Sequence, residues 1–259
     1  MGLAFEGVRS HPSQPIVVGL VPSHQDSSSS RLRFFRVPPH RYEAILFDLD
    51  GTLADSAADI GLALRRAFED LSITSARPIE ALVDGSPLEE LFAVAAPDAP
   101  VGLFDRFVSS YRAHYHATAH AQTRLYPGVL DTLESLRLLT PRPRLAVATS
   151  KRAEAARGLC LSMGIAPFFD LIEGSGGTSL RPKPAPDLLL RVTSALDVAP
   201  MRTLMVGDTA RDIHAGRAAG MRTAAVLYGL GSREALTAAD PDHVLEDMED
   251  LIQLVAASA

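Results

Sequence analysis

Cysteine is almost missing from this chain: Cys160 is the single one among 259 residues. One thiol excludes an internal disulfide and fits a reducing compartment, so a cytoplasmic location is expected. Leu159, Cys160 and Met163 share the apolar face of an expected helix, which makes Cys160 core packing rather than a nucleophile. Long apolar runs are missing too. None approaches the roughly 18 residues that a membrane helix needs, so no membrane partner is expected. Nor is there a basic excess. The formal net charge of -6 gives no electrostatic footprint for nucleic acid or an anionic surface. A small anion must then be attracted locally, by a metal ion or a few basic side chains.

What is present can build a core. Hydrophobic residues make up 47% and charged residues 22%, enough for one domain with a smaller module. Residues 1–41 differ from the rest, with a serine run (Ser27 to Ser30), scattered Pro and Arg, and only Glu6 and Asp26 as acids. They read as a disordered extension or an upstream start. An Arg- and Ser-rich, acid-poor transit segment is the other reading.

From Tyr42 the pattern becomes regular. The run Glu43 to Asp48 (EAILFD) predicts a buried strand ending in acids. Ser56 with Asp59 predicts a helix start of the capping-box kind. Ile60, Leu64, Phe68 and Leu71 recur at helical spacing. Pro87 suits the first position of a second helix. Val101, Phe104, Val108, Tyr111 and Tyr115 mark a third. No strand alternation interrupts 57–122, so this stretch is expected to be a helical module. After Tyr126-Pro127-Gly128 the pattern predicts a helix from 129. Strands follow at 145–148, 169–173, 203–206 and 223–227, with helices at 153–163, 187–196 and 211–219. Such alternation predicts an α/β fold, a doubly wound parallel sheet of Rossmann-like form. The expected division is a core of 42–56 and 123–259, with 57–122 inserted after the first strand as a helical cap.

Sites in open α/β sheets lie beyond the carboxyl ends of the strands. The first strand ends in Asp48-Leu49-Asp50-Gly51-Thr52 and the strand at 145–148 in Thr149-Ser150. Arg181-Pro182-Lys183-Pro184 precedes the helix at 187, and Gly207-Asp208-Thr209 closes the strand at 203–206. Each residue type has a task in phosphoryl transfer, which depends on positioning and charge stabilisation. Asp48 and Asp208 can share a hard divalent cation. Lys183 can neutralise phosphoryl oxygens, and a carboxylate can attack phosphorus. Asp50 would share a side with Asp48 if the strand continued, and could then serve as acid and base. Each residue alone has a plainer reading. An Asp after a strand is usually a turn residue or helix cap. Lys183 would be a surface lysine, Thr149 and Ser150 helix caps, and Asp212 a first-turn acid. Four clusters in this order, each at a strand end or the loop after it, favour the chemical reading.

The run Asp48 to Ser56 (DLDGTLADS) resembles the first motif of the haloacid dehalogenase superfamily. Thr149-Ser150-Lys151, Arg181 to Asp187 (RPKPAPD) and Gly207 to Asp212 (GDTARD) resemble its other three. The resemblance spans roughly 42–257. It implies a magnesium-dependent hydrolase of a small phosphomonoester, working through an aspartyl-phosphate. Asp48 would be the nucleophile, Asp50 the acid/base, Thr149 a phosphoryl hydrogen-bond donor and Lys183 the charge stabiliser. Magnesium would sit on Asp48, Asp208 and the main-chain carbonyl of Asp50, and Asp212 would hold Lys183 or a metal-bound water. Ser150 would lie beside the phosphoryl site. The monomer and the homodimer are both compatible with this.

Within the superfamily the chain resembles phosphoglycolate phosphatases, through Leu125-Tyr126-Pro127-Gly128-Val129, Ala219-Gly220-Met221 and Tyr228-Gly229-Leu230-Gly231-Ser232. Ser150 stands where that subfamily has Asn. Asp50 argues against dehalogenation, and a cap without lysine argues against Schiff-base chemistry. Another small-molecule phosphatase, such as a nucleotidase or pyrophosphatase, would share every core residue. So would a mutase of the β-phosphoglucomutase type. A non-enzymatic interaction protein is the alternative from another class, and the intact set Asp48, Asp50, Lys183 and Asp208 counts against it. Substrate selection falls to the cap. Arg112 is its candidate for a substrate carboxylate, with solvation of the helix as the plain alternative. His114, His116 and His120 read as solvent-facing rather than as a metal site.

Overall fold

In a computed structural model of the chain, the described residues are 17–19, 33–35, 42–100 and 102–257. Strands β1 (Val17–Gly19) and β2 (Arg33–Phe35) pair antiparallel. The rest of 1–41 lies outside the described residues, and with it the expectation of a disordered extension.

The central sheet has six strands: β3 (Ala44–Phe47), β6 (Arg144–Thr149), β7 (Leu171–Gly174), β8 (Thr203–Gly207), β9 (Arg222–Val226) and β10 (His243–Leu245). Their order is β10-β9-β8-β3-β6-β7, and every pairing is parallel. The chain therefore winds outward on one side of β3, returns, and winds outward on the other. This places a topological switch at the carboxyl ends of β6, β3 and β8, where a crevice must open.

All four residues of β3 are buried, as both-face coverage of a parallel sheet requires. Side chains alternate between faces along a strand. Ile45 and Phe47 accordingly pack with α4 (Val129–Leu138), α5 (Ala153–Ser162) and α9 (Asp250–Ala257). Ala44 and Leu46 pack with α6 (Asp187–Leu196) and α7 (Ala210–Ala218) on the other face. Cys160 is fully buried in the first of these layers, as its spacing predicts.

Between β3 and β6 the chain leaves the sheet through the short strand β4 (Ala54–Asp55) and returns through β5 (Arg124–Leu125), which pair antiparallel. The excursion holds α1 (Ala57–Asp70), α2 (Leu88–Ala95) and α3 (Leu103–Ala117), and no strand among the described residues. Their apolar faces close on Leu64, Phe68, Phe92 and Phe107. The Phe107 ring lies 4.9 Å from that of Phe68 and 4.8 Å from that of Phe92. Burying three aromatic rings together gives this small unit its own apolar centre.

Three details differ from the sequence reading. The first strand ends at Phe47, and 49–53 form a tight turn, so Asp50 does not lie on a continued strand. Ser56 does precede α1, but its hydroxyl caps nothing there and binds Asp50 instead. The strand expected at 169–173 begins at Leu171, because Ala166–Phe168 turn as a short 3-10 helix.

Candidate active site

Asp48 immediately follows β3, Thr149 ends β6 and Asp208 follows β8, so three neighbouring strands present polar groups at one edge. Lys183 reaches them from the loop before α6. Its Nζ donates to Asp48 Oδ1 at 2.7 Å and to Asp212 Oδ1 at 2.6 Å. Only 3% of its side chain is exposed, which removes the reading of a solvated surface lysine. Burial alone would lower the Lys183 pKa, but attraction to Asp212 and Asp48 outweighs it and holds the ammonium charged.

Asp212 serves two partners. Its Oδ2 accepts from the main-chain N of Thr209 at 3.1 Å and from the Thr209 hydroxyl at 2.6 Å, while Oδ1 accepts from Lys183. It is thus the first-turn acid of α7 and also the residue that holds Lys183. Asp208 is fully buried. The Thr52 hydroxyl donates to its Oδ1 at 2.9 Å and Leu230 N to its Oδ2 at 2.8 Å. Gly51 must be glycine here. Its φ is +87°, and a Cβ would come 2.0 Å from Asp208 Oδ2.

Asp48, Asp208 and Asp212 each offer a carboxylate oxygen, all within 4.8 Å of one another and all buried. Two of these carboxylates bind the one ammonium of Lys183, and the third lies beside them. The excess negative charge shows in their acidities. Burial pushes Asp48 well above the usual carboxylate range, with Asp212 and Asp208 adding repulsion that Lys183 does not cancel. Asp208 is pushed up to about 7 by burial and by Asp212. A buried oxygen-ligand cluster short of positive charge fits a hard divalent cation.

Asp50 lies in the turn beyond Asp48. Its Oδ1 accepts from the Ser56 hydroxyl, and its Oδ2 is 2.9 Å from Lys151 Nζ. The Lys151 ammonium also stands 4.3 Å from the ring centroid of Tyr115 on α3. Thr149 is buried, its Oγ1 accepting from Lys151 N at 3.3 Å, and Ser150 is half-buried beside it. Neither side chain caps α5.

A cavity of about 1100 Å³ separates this edge from the helical excursion. Asp48, Asp50, Thr149, Ser150 and Lys183 line its core wall, and Arg112, Tyr111 and Tyr115 its opposite wall. Arg112 is exposed and has no ion-pair partner among the described residues. His114 instead pairs with Asp70 at 2.8 Å, while His116 and His120 line the cavity, His120 packed against Tyr115. Arg211, at the start of α7, forms a two-pronged pair with Glu90 of α2, one contact being 3.2 Å. The structure thus gathers Asp48, Asp50, Thr149, Ser150, Lys183 and Asp212 at one cavity, with Asp208 buried beside Asp48 and Asp212 and Arg112 across the cavity. The sequence reading did not single out Thr52, Ser56, Lys151, Tyr115 and Arg211 for roles there. Only Lys151 carried a signal. It and Lys183 are the two lysines of the whole chain.

Residues 45–226 match the family model described as haloacid dehalogenase-like hydrolase. A phosphoglycolate phosphatase of Aquifex aeolicus is 34% identical over 212 residues, covering 82% of this chain and 95% of that protein. The pyrophosphatase PpaX of Halalkalibacterium halodurans is 33% identical, covering 83% and 97%. Among solved structures, a predicted phosphoglycolate phosphatase from Haemophilus somnus superposes with a TM-score of 0.73. It is 27% identical and covers 83% of this chain and 98% of its own.

Proposed function

The chain belongs to the haloacid dehalogenase-like hydrolase family and is a phosphatase, and from that premise we propose that it hydrolyses a small phosphomonoester through an aspartyl-phosphate on Asp48. The observation that carries this reading is Lys183, buried between Asp48 and Asp212 at the switch point of the sheet. A buried lysine clamped by two carboxylates beside a third has little structural use, since a well-packed apolar cluster would be at least as stable.

Residues 57–122 act as the cap over a core of 42–56 and 123–259. Asp48 attacks phosphorus as the ester P–O bond breaks. Asp50 gives its proton to the leaving oxygen, then takes one from the water that hydrolyses the phosphoenzyme. That second step frees phosphate and restores Asp48. Lys183 and the Thr149 hydroxyl stabilise the charge on the transferring group, with Ser150 at its rim. Magnesium, when bound, would be held by Asp48, Asp208 and the main-chain carbonyl of Asp50, and would supply Lewis-acid neutralisation of the phosphoryl oxygens. Asp212 holds Lys183 in place.

Phosphoglycolate is the first candidate substrate. The kinship to an enzyme of that name and Arg112, which faces the cavity without an ion-pair partner among the described residues, both support it. Pyrophosphate is the second, since a relative of similar identity carries that name. The deciding experiment is a phosphate-release screen over small phosphoesters and pyrophosphate, with and without magnesium. Release from at least one small phosphomonoester is expected. Conversion of a hexose 1-phosphate to its 6-phosphate without free phosphate would replace hydrolase by mutase.

A further inference from the structure

Asp50 is held in an unusual way for a group that must deliver a proton. The strand that carries Asp48 has ended, so no sheet hydrogen bond fixes the main chain at Asp50 beyond an isolated bridge to Ala54. The carboxylate is located by two side chains instead, the Ser56 hydroxyl and the Lys151 ammonium. Both members of the Lys151–Asp50 pair are 13% exposed. Among the described residues Lys151 has no other ion-pair partner. On its other side stands the ring of Tyr115, its centroid 4.3 Å away. Tyr115 is 7% exposed and sits in a row with Tyr111, at 5.9 Å, and His120, at 5.5 Å. The lysine therefore runs from the end of β6 to a point between the turn of Asp50 and an aromatic wall of α3.

We propose that Lys151 is the positioning residue for Asp50, itself seated by Tyr115 from the helical segment. The inference rests on the acid/base role of Asp50 given above. It excludes the simpler idea that Lys151 is a second phosphoryl ligand like Lys183. A lysine engaged with Asp50 and with the Tyr115 ring would act on protonation of the leaving group, not on charge at phosphorus. Tyr115 makes the position of Lys151, and through it that of Asp50, depend on α3.

The test compares Lys151→Met, Lys151→Arg, Tyr115→Leu and Asp50→Asn on an alkyl and an aryl phosphate, with magnesium present. Misplacing a catalytic group by about 1 Å can cost about 10²-fold. Lys151→Met should thus lower kcat on the alkyl ester by that order, lower it far less on the aryl ester, and leave KM within about threefold. Lys151→Arg keeps the charge and should recover part of the loss. Tyr115→Leu should move in the same direction by a smaller factor. Lys151→Met placed on Asp50→Asn should cost little more, because residues acting through one another are not additive. Equal losses on both esters, a dominant rise in KM, or full additivity with Asp50→Asn would overturn the inference while leaving the Asp50 assignment standing. Should Asp50→Asn alone lose activity equally on both esters, that assignment fails first and this inference with it. Lys151→Arg carries the comparison if Lys151→Met does not fold.

Discussion

Asp59, in the first turn of α1, binds Thr123 across 64 residues of sequence. Its Oδ2 accepts from Thr123 N at 2.9 Å and from the Thr123 hydroxyl at 2.7 Å, with Gln122 N at 3.1 Å as a third donor. The pair closes the neck of the helical segment where β4 and β5 meet. Asp59 is 1% exposed, so solvent competes little for these bonds.

Truncating the neck should therefore cost stability. Asp59→Ala leaves the two donors of buried Thr123 without an acceptor, at about 1–3 kcal/mol for each group so stranded, partly relieved by relaxation, while the N–H of exposed Gln122 can turn to water. A total near 2–4 kcal/mol is expected. Thr123→Val removes only the hydroxyl and should cost about 1 kcal/mol. Urea unfolding of both variants checks the order. Equal and small effects would mean that the neck is held by its strands alone.

The second prediction concerns Asp208 and pH. Its folded acidity is pushed up to about 7, against 3.8 as a free side chain. Between these values the folded metal-free protein binds a proton that the unfolded chain releases. Stability from this group is therefore highest at low pH and is lost as pH rises toward 7. Asp208→Asn removes the buried charge, so at pH 8 in chelator the variant should unfold at a higher temperature than the parent. A shift of a few degrees corresponds to about 1 kcal/mol in a chain of this size. The gap should close toward pH 5. Magnesium at pH 8 should raise the parent and leave Asp208→Asn nearly unmoved, as mass action on the folded state requires. A variant less stable than the parent in chelator at pH 8 would contradict the charge excess.

Arg112 supplies the third. It is exposed, opposite the acids, and without an ion-pair partner among the described residues. Arg112→Ala should raise KM for a carboxylate-bearing ester such as phosphoglycolate by about tenfold or more, a charged hydrogen bond contributing about 1.5–3 kcal/mol. It should leave a neutral alkyl phosphate within about twofold. Equal changes on both esters would return Arg112 to a solvating role.

Much of this was legible in the residues. Helix α6 spans the expected 187–196, and the strands at β6, β8 and β9 fall within a residue of their expected ends. Buried parallel strands are continuous apolar runs bounded by turn residues, which is a local signal. The acids at their carboxyl ends could be picked out because topology alone sends strand ends to one edge. Edge strand β10 was not legible: it has three residues, with polar neighbours in Asp242 and Glu246. The roles of Ser56 and Lys151 were also hidden. Ser56 has the local signature of a helix cap, and only the tertiary path of the turn at 49–53 brings Asp50 to it. Lys151 pairs with a residue 101 positions earlier and a ring on another layer, and no spacing rule encodes that.

The central claim is covalent catalysis at Asp48, and trapping the phosphoenzyme tests it most directly. The protein with magnesium is mixed with a ³²P-labelled substrate from the screen, quenched in acid within a turnover, and digested for peptide mapping. Label is expected on the peptide containing Asp48, stable in acid and released by hydroxylamine, as an acyl-phosphate must be. Asp48→Asn keeps the side chain's size and should show neither label nor turnover, while Asp50→Asn should still take up label at Asp48 from an aryl phosphate. Label on Asp48→Asn, or full turnover by it, would contradict the account.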